Sequence, residues 1–415
     1  MPGIFSPCAG RTPFQTARPL PGHNDRVGPA FRLFRVAGID VRMHWTFLLL
    51  LAWFFATPLL AGGPDALAAG LRSVVFVLGV FACVVLHEFG HAFAARAFGI
   101  RTRDVTLLPI GGVARLERMP EKPAQELVVA LAGPAVNVVI AAISIVAVAL
   151  TAGPQAMLDP PEQNIRAGAF LPSLAFVNVF LAVFNLIPAF PMDGGRVLRA
   201  LLAMAMGRIR ATRIAAAVGQ LLAVAFAIFG LFVGNVLLML VALFVFLGAG
   251  AEAQATEASA ALRGVSVRQA MVRRFRVLRE SDTLNAAAQE LLSGSQQDFP
   301  VLRDGADQGD ADALVGILTR SRLIRALASG GLSTPVRDAM ETPCAPVSPE
   351  DPIQRALDRA GHRAEAVGSG APCPPMPVIE RGADGRRRLV GMITSDNVAE
   401  LVAIRAALAG ASDGS

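Results

Sequence analysis

Residues 84–99 read VVLHEFGHAFAARAFG, and within them His87, Glu88 and His91 are the side chains whose types and spacing could do chemistry. Two histidines four apart on a helix project from one face, where neutral imidazole nitrogens can grip a single zinc ion. Glu88 adjoins the first histidine and can take a proton from an attacking water, the division of labour that an H-E-x-x-H order serves. A catalytic zinc needs a third protein ligand and an open position. Asp193, in FNLIPAFPMDGGRVLRA at residues 184–200, is the candidate, because the prolines and the Gly-Gly pair break helical backbone and let a loop dip toward a metal. The bland alternatives are a polar cluster that only packs helices together and, for Asp193, a helix-terminus carboxylate beside Arg196.

The elements that must position these groups belong to a membrane. The 415-residue chain is 53% hydrophobic and 17% charged, too apolar for an ordinary soluble protein, and an α-helical polytopic membrane protein is expected. Six apolar segments lie at 44–62, 72–97, 125–151, 170–192, 212–232 and 234–250, each near the roughly 20 residues that a helix needs to cross a bilayer. The last two are joined through VGN and read as a tight helical hairpin. Ionisable groups inside a spanning helix cost about 2.5–3.5 kcal/mol each on insertion scales, so the His87–His91 cluster reads as functional.

Arginine placement orients the spans. Arg11, Arg18, Arg26, Arg32, Arg35 and Arg42 precede the first; Arg101, Arg103, Arg115, Arg118 and Lys122 follow the second; Arg196, Arg199, Arg208, Arg210 and Arg213 follow the fourth. Arg72 and Arg166 are the exceptions. The positive-inside rule then places the N- and C-termini in the cytoplasm of a multi-pass cell-membrane protein. His87 and His91 fall in the inner half of the second span and Asp193 near the inner end of the fourth, so the three share one depth. The net charge of +6 is accounted for by this topology, and no nucleic-acid partner is expected. Cys8, Cys83, Cys344 and Cys373 are scattered without a CxxC spacing and read as free thiols.

Residues 1–35 read as a disordered cytoplasmic tail with no apolar run of the kind a secretion signal needs, His23 being a solvated tail residue. The membrane domain spans 36–250, and GAGAEAQATEASAALRG introduces a linker over 251–264. The remainder, 265–410, is a duplicated α/β unit with copies at 265–330 and 335–410. VRQAM (267–271) recurs as VRDAM (336–340), FPVL (299–302) as MPVI (376–379), and LVGILT (314–319) as LVGMIT (389–394). Each half reads as helix, short strand, helix, strand, glycine turn, strand, helix.

This repeat resembles a tandem pair of CBS domains, a family whose pairs act as regulatory modules and often bind adenine nucleotides. Nucleotide-binding copies often carry an aspartate three positions after the strand-end threonine; here Arg322 follows Thr319 and Asn397 follows Thr394. Thr319, Thr394 and Asn397 are therefore the candidates for an adenine nucleotide, against an alternative in which the pair only mediates a homodimer. His362 reads as an exposed helix residue.

HEFGH on one span with NLIPAFPMDGGR on another resembles the site-2 protease family of intramembrane zinc metalloproteases, and LAGPAVNVVIA (131–141) matches a third motif of that family. Six spans and a trailing CBS pair resemble its microbial branch. The resemblance implies that His87, His91 and Asp193 bind one zinc ion and that Glu88 is the catalytic base. It also implies cleavage of a peptide bond in or beside a partner's transmembrane helix, the regulated intramembrane proteolysis of a membrane-protein substrate.

Asn137 and Asn185 are carboxamides inside apolar spans and could hold substrate backbone or an oxyanion, inter-helix bonding being the alternative. Gly133 and Pro134 are expected to allow close helix approach. RDVTLLPIGGVARLE (103–117) reads as a hairpin near the membrane surface, turning at Gly111-Gly112, with an edge that could receive substrate as an added strand. His44 and Trp45 suit an interfacial anchor. A CBS-regulated cation transporter or channel is the competing class, although transport has no need of the H-E-x-x-H order and no inverted repeat of the spans stands out.

Overall fold

The computed structural model describes residues 30–109, 111–116, 120, 122–151, 153, 169–367 and 375–412. The expectations for residues 1–29, for Arg118 and Arg166, for Cys373 and for the exposure of His362 lie outside the described residues. Strand β1 (Ala30–Val36) opens the described chain, so a sheet begins inside the stretch read as tail to residue 35. It turns through Ala37 and Gly38, both at positive φ, into β2 (Ile39–His44).

Two apolar helices follow, α1 (Thr46–Ala61) and α2 (Ala66–Ala97), and the chain then returns to the sheet as β3 (Thr102–Leu108) and β4 (Gly111–Leu116). The strand order is β1-β2-β3-β4, with β2 and β3 parallel and the outer pairs antiparallel. Parallel neighbours need a crossover, and here the crossover is the α1–α2 pair. Leu108 faces Gly111 in the register, so the hairpin turns before the two glycines, which open β4 instead of forming the turn.

The other apolar segments form α3 (Pro123–Thr151), α4 (Phe170–Asn185), α6 (Arg208–Val233) and α7 (Val236–Ala261), with α5 (Asp193–Met206) between α4 and α6. α2, α3, α6 and α7 are long and apolar enough to cross a membrane, by length and composition, while α1 and α4 are shorter apolar helices. α4 ends at Asn185 rather than reaching 192, because Pro188 and Pro191 cannot continue it. Gly234, in the left-handed region, closes α6, and the Asn235 side chain accepts from the Leu238 N–H at 3.0 Å to start α7, which makes VGN the expected tight turn.

Packing in this region inverts that of a soluble core. Small residues such as Ala175, Ala215, Ala223 and Ala249 are buried between helices, whereas Leu150 and Phe232 are more than four-fifths exposed. Such a surface is stable in an apolar solvent. α7 continues through the stretch read as a linker, since GAGAEAQATEASAA is alanine-rich, proline-free and a good helix former.

The C-terminal region is a duplicated α/β unit. Its first copy has α8 (Val267–Ala270), β5 (Leu278–Arg279), α9 (Leu284–Ser293), β6 (Asp298–Leu302), β7 (Leu314–Thr319) and α10 (Arg320–Gly330). The second has a 3-10 turn at Val336–Asp338, then α11 (Ile353–Val367), β8 (Met376–Arg381), β9 (Arg387–Ile393) and α12 (Ser395–Ser412). In place of a named short strand, the second copy has a single bridge from Val347 to Val378.

The copies exchange their leading helices. Val265, Val267 and Met271 pack in one core with Ile353, Val378 and Ile393, while Val336 and Ala339 pack with Leu284, Phe299 and Leu318. Hydrophobic burial thus cuts across the boundary that the sequence repeat suggests. Cys83 and Cys344 are in no disulfide among the described residues.

Candidate metal centre

His87 and His91 lie one turn apart on α2 and are both buried. Their Nε2 atoms stand 3.0 Å apart, and Asp193 Oδ2 lies 3.2 Å from the first and 3.1 Å from the second. The His91 Nδ1–H donates to the Val129 carbonyl of α3 at 2.7 Å. That bond places the proton of a neutral His91 on Nδ1 and leaves an Nε2 lone pair directed at the centre. Two ring nitrogens and a carboxylate oxygen therefore converge on one point, an arrangement of lone pairs that a cation would relieve. Among the described residues, this trio is the one group of three that could hold a metal ion.

The room for it comes from α3. A Cβ at Gly133 would fall 2.7 Å from His87 Nε2 and closer still to His91 Nε2. The expected close approach at Gly133 is thus a cradle for the ligands themselves. Asp193 arrives from a separate segment as the first residue of α5, after the 186–192 loop, where the sequence had placed a helix break. The donor set fits zinc, for which imidazole nitrogen and carboxylate oxygen are ordinary ligands.

Glu88 is half-buried beside this cluster, and its Oε2 accepts the Ala114 N–H of β4 at 3.2 Å. β4 is the outer strand of its sheet, so the edge of the hairpin borders the carboxylate. Gly112 makes the approach feasible, since a Cβ there would lie 2.9 Å from Glu88 Cγ and 3.0 Å from Val84 Cγ1.

A family model described as peptidase family M50 matches residues 75–166 and 150–229, and so includes His87, Glu88, His91 and Asp193; a CBS domain model matches 267–329. The chain belongs to peptidase family M50. This is the site-2 protease family, and the enzyme class is that of a zinc metalloprotease.

Among M50 relatives, a zinc metalloprotease of Methanocaldococcus jannaschii is 35% identical over 242 residues, which cover 58% of this chain and 66% of that protein. The Rip3 protein of Mycobacterium tuberculosis is 29% identical over 397 residues, 90% of this chain and 93% of that one. The chain thus spans about two thirds of the first relative and nearly all of the second. A solved structure of a site-2 protease from Methanocaldococcus jannaschii is 35% identical, with 54% of this chain and 95% of that one covered and a TM-score of 0.39.

The other candidates in this M50 chain fare differently. Asn137, one turn beyond Gly133 on α3, is 1% exposed, and both its amide atoms lack a hydrogen-bond partner among the described residues. Asn185 ends α4 and is half-buried. His44 accepts from the Thr46 N–H at 3.3 Å at the start of α1, next to a 43% exposed Trp45, as suits an interfacial anchor.

In the CBS pair, Thr319 and Thr394 cap helices, their hydroxyls accepting from the Arg322 and Asn397 N–H groups at 3.4 and 3.3 Å. The Asn397 amide donates to the Ala270 carbonyl at 3.1 Å, which ties α12 to α8. Asp298 faces Thr319 across the β6–β7 ladder. Burial pushes its carboxyl above the usual aspartate value, Asp396 and Glu341 push the same way, and the Arg320 N–H opposes them.

From the sequence, Gly112 had only the role of a hairpin turn and Arg199 only that of a cytoplasmic loop arginine, whereas Gly112 packs on Glu88 and Arg199 is 0% exposed. A signal for Arg199 existed, because an arginine set among the apolar residues of LRALLAMAM (198–206) must find a partner if that face of the helix is buried.

Proposed function

We propose that this chain is an intramembrane zinc metalloendopeptidase that cuts a peptide bond in or near the transmembrane segment of a membrane protein, with its CBS pair regulating the activity. The observation that carries this reading is the convergence of His87, His91 and Asp193 beside Glu88 in a bundle whose outer surface is apolar. His87, His91 and Asp193 would hold the zinc ion. When bound, the ion would polarise the scissile carbonyl and lower the pKa of water at the site. Glu88 takes the proton of the attacking water and returns it to the leaving amine. The Ala114 N–H orients Glu88 for both transfers.

A transmembrane helix must unwind before it can be cut, and an extended chain added to the outer edge of β4 would lie next to Glu88. Asn137, whose amide atoms have no hydrogen-bond partner among the described residues, would serve the substrate backbone or the oxyanion, and Asn185 is the second candidate. All six apolar helices are taken to span, with both termini in the cytoplasm, in keeping with the arginine distribution. At the CBS pair an adenine nucleotide would use Thr319, Thr394 and the free face of Asn397, and a homodimer could form through the same region.

The test is cleavage of a fused transmembrane-helix substrate by purified protein in detergent. Wild type should cut and retain about one zinc per chain, and Glu88→Gln should retain the zinc while losing about 10²- to 10⁴-fold in rate. Zinc-loaded wild type that cuts none of a panel of substrates, but moves cations across vesicle membranes, would favour the transporter class instead.

A further inference from the structure

Asp193 is the ligand furthest in the chain from the other two, so something must fix its distance from α2. α3 already holds the histidines, with the Val129 carbonyl on His91 Nδ1–H and Gly133 against both rings. One turn before Val129, the same helix carries Glu126, which is 4% exposed. The Arg199 Nε–H donates to Glu126 Oε1 at 2.7 Å, and its Nη2 donates to the same oxygen. Arg199 is on α5, the helix that Asp193 begins.

The opposite side of the guanidinium is held as well. Its Nη1 donates to Glu252 on α7, and its Cζ lies 5.0 Å from the centroid of Phe190, in the loop that leads to Asp193. One turn before Glu252, Gly248 lets Pro191 pack against α7, for a Cβ there would fall 2.9 Å from Pro191 Cδ. The first turn of α5 is seated on the loop in the same way, a Cβ at Gly195 falling 2.6 Å from the Phe190 nitrogen. Loop and helix start therefore form one body, gripped at Pro191 by α7 and at Arg199 by both α3 and α7.

We propose that Arg199 is a positioning residue for the metal centre: by joining α5 to Glu126 of α3 and Glu252 of α7, it sets where Asp193 stands relative to His87 and His91. Arg199 touches neither substrate nor metal and acts through α5. Arg199 and Glu126 are buried and Glu252 is partly exposed; breaking such a set by removing one partner is costly, and its role here is to select one geometry rather than to add stability. The fork of a guanidinium bridges two carboxylates with its donors in a fixed plane, a constraint that the rotatable donors of an ammonium do not impose. The proposal rests on the metal-centre reading above.

Cobalt substitution of the full-length protein in detergent tests it, with the visible d–d spectrum and the rate of cobalt loss to a chelator as readouts. Glu252→Ala and Arg199→Lys should each speed cobalt loss by about tenfold or more and change the spectrum. Glu252→Gln, which keeps a hydrogen-bond acceptor, should fall between them and wild type, and it carries the decision if the other variants do not fold. Glu257→Ala is the control, since Glu257 also joins α7 to α6, through Arg213 at 2.6 Å, but in an exposed pair that does not include α5; it should leave both readouts unchanged. Wild type that binds no cobalt overturns the metal-centre reading and this proposal together. Cobalt bound by wild type with Glu252→Ala and Glu252→Gln matching it in spectrum and loss rate, even at lower thermal stability, overturns this proposal alone.

Discussion

The Ala114 N–H donates to Glu88 Oε2 at 3.2 Å, so the edge strand of a sheet holds the proposed base of a helix-borne site. The base is thereby oriented by backbone, which no side-chain substitution on β4 can remove directly.

Gly112→Ala should expose this dependence. The new Cβ, 2.9 Å from Glu88 Cγ, must push the carboxylate off the Ala114 N–H. Displacements of this order cost about 10²-fold in rate. Cleavage should fall by that order with zinc content unchanged, measured by substrate assay and metal analysis side by side.

Gly133→Ala should act on the metal instead. Its Cβ would occupy the space of the His87 and His91 ring edges. Purified Gly133→Ala is expected to carry less than a tenth of the wild-type zinc, with overpacking costing about 1–3 kcal/mol of stability. Full zinc retention would mean that α3 yields and the cradle is not rigid.

Asn137→Leu separates function from fold. An amide with no partner costs about 1–3 kcal/mol to bury, so the variant should unfold at the same or higher temperature than wild type. Loss of an oxyanion donor is worth about 10²–10³ in rate. A variant that is less stable yet cuts normally would assign Asn137 to packing.

Single prolines at the positions of Gly111–Leu116 whose N–H points away from β3, Ala114 excepted because its N–H holds Glu88, remove the N–H groups through which an added strand would bind. Edge strands tolerate proline, so the sheet should survive. KM should rise for some positions; unchanged cleavage across the series would exclude the β4 edge as the substrate seat.

Asp298 predicts a pH effect in the CBS pair. Its folded pKa is raised above 3.8, chiefly by burial, so the protonated form is favoured in the native state. The associated stability is full below the ordinary aspartate value and is lost as pH rises through the elevated one. Asp298→Asn should match wild type at low pH and exceed it above that window. Parallel melting curves across pH would refute the burial account.

The candidate metal site was legible because its signal is local. His87, Glu88 and His91 share a helical turn, and Asp193 is marked by the prolines and glycines that surround it. The six apolar segments each became a helix for the same reason, hydropathy being a property of consecutive residues. What escaped depends on contacts distant in sequence. Gly112 matters only because Glu88 lies opposite it, and Arg199 only because Glu126 and Glu252 come from other helices. α5 was unread since its mixed pattern is neither a span nor a loop, and the residues after 250 read as linker because composition changes there while helix propensity does not. The exchange of leading helices between CBS copies is likewise invisible to a repeat, which records likeness and not contact.

β2 and β3 lie side by side although α1 and α2 separate them in the chain, so that helical pair leaves one face and returns to it. The Arg208–Pro120 and Arg199–Glu126 contacts bring the starts of α3 and α6 and the body of α5 to the same end, and α7 runs into the CBS pair there. With the helices crossing as proposed, every part that needs water draws on a single aqueous compartment. A chelator that cannot permeate sealed vesicles would then reach the metal and the regulatory pair from the same side, and the opposite compartment would meet the short links between α1 and α2 and between α6 and α7.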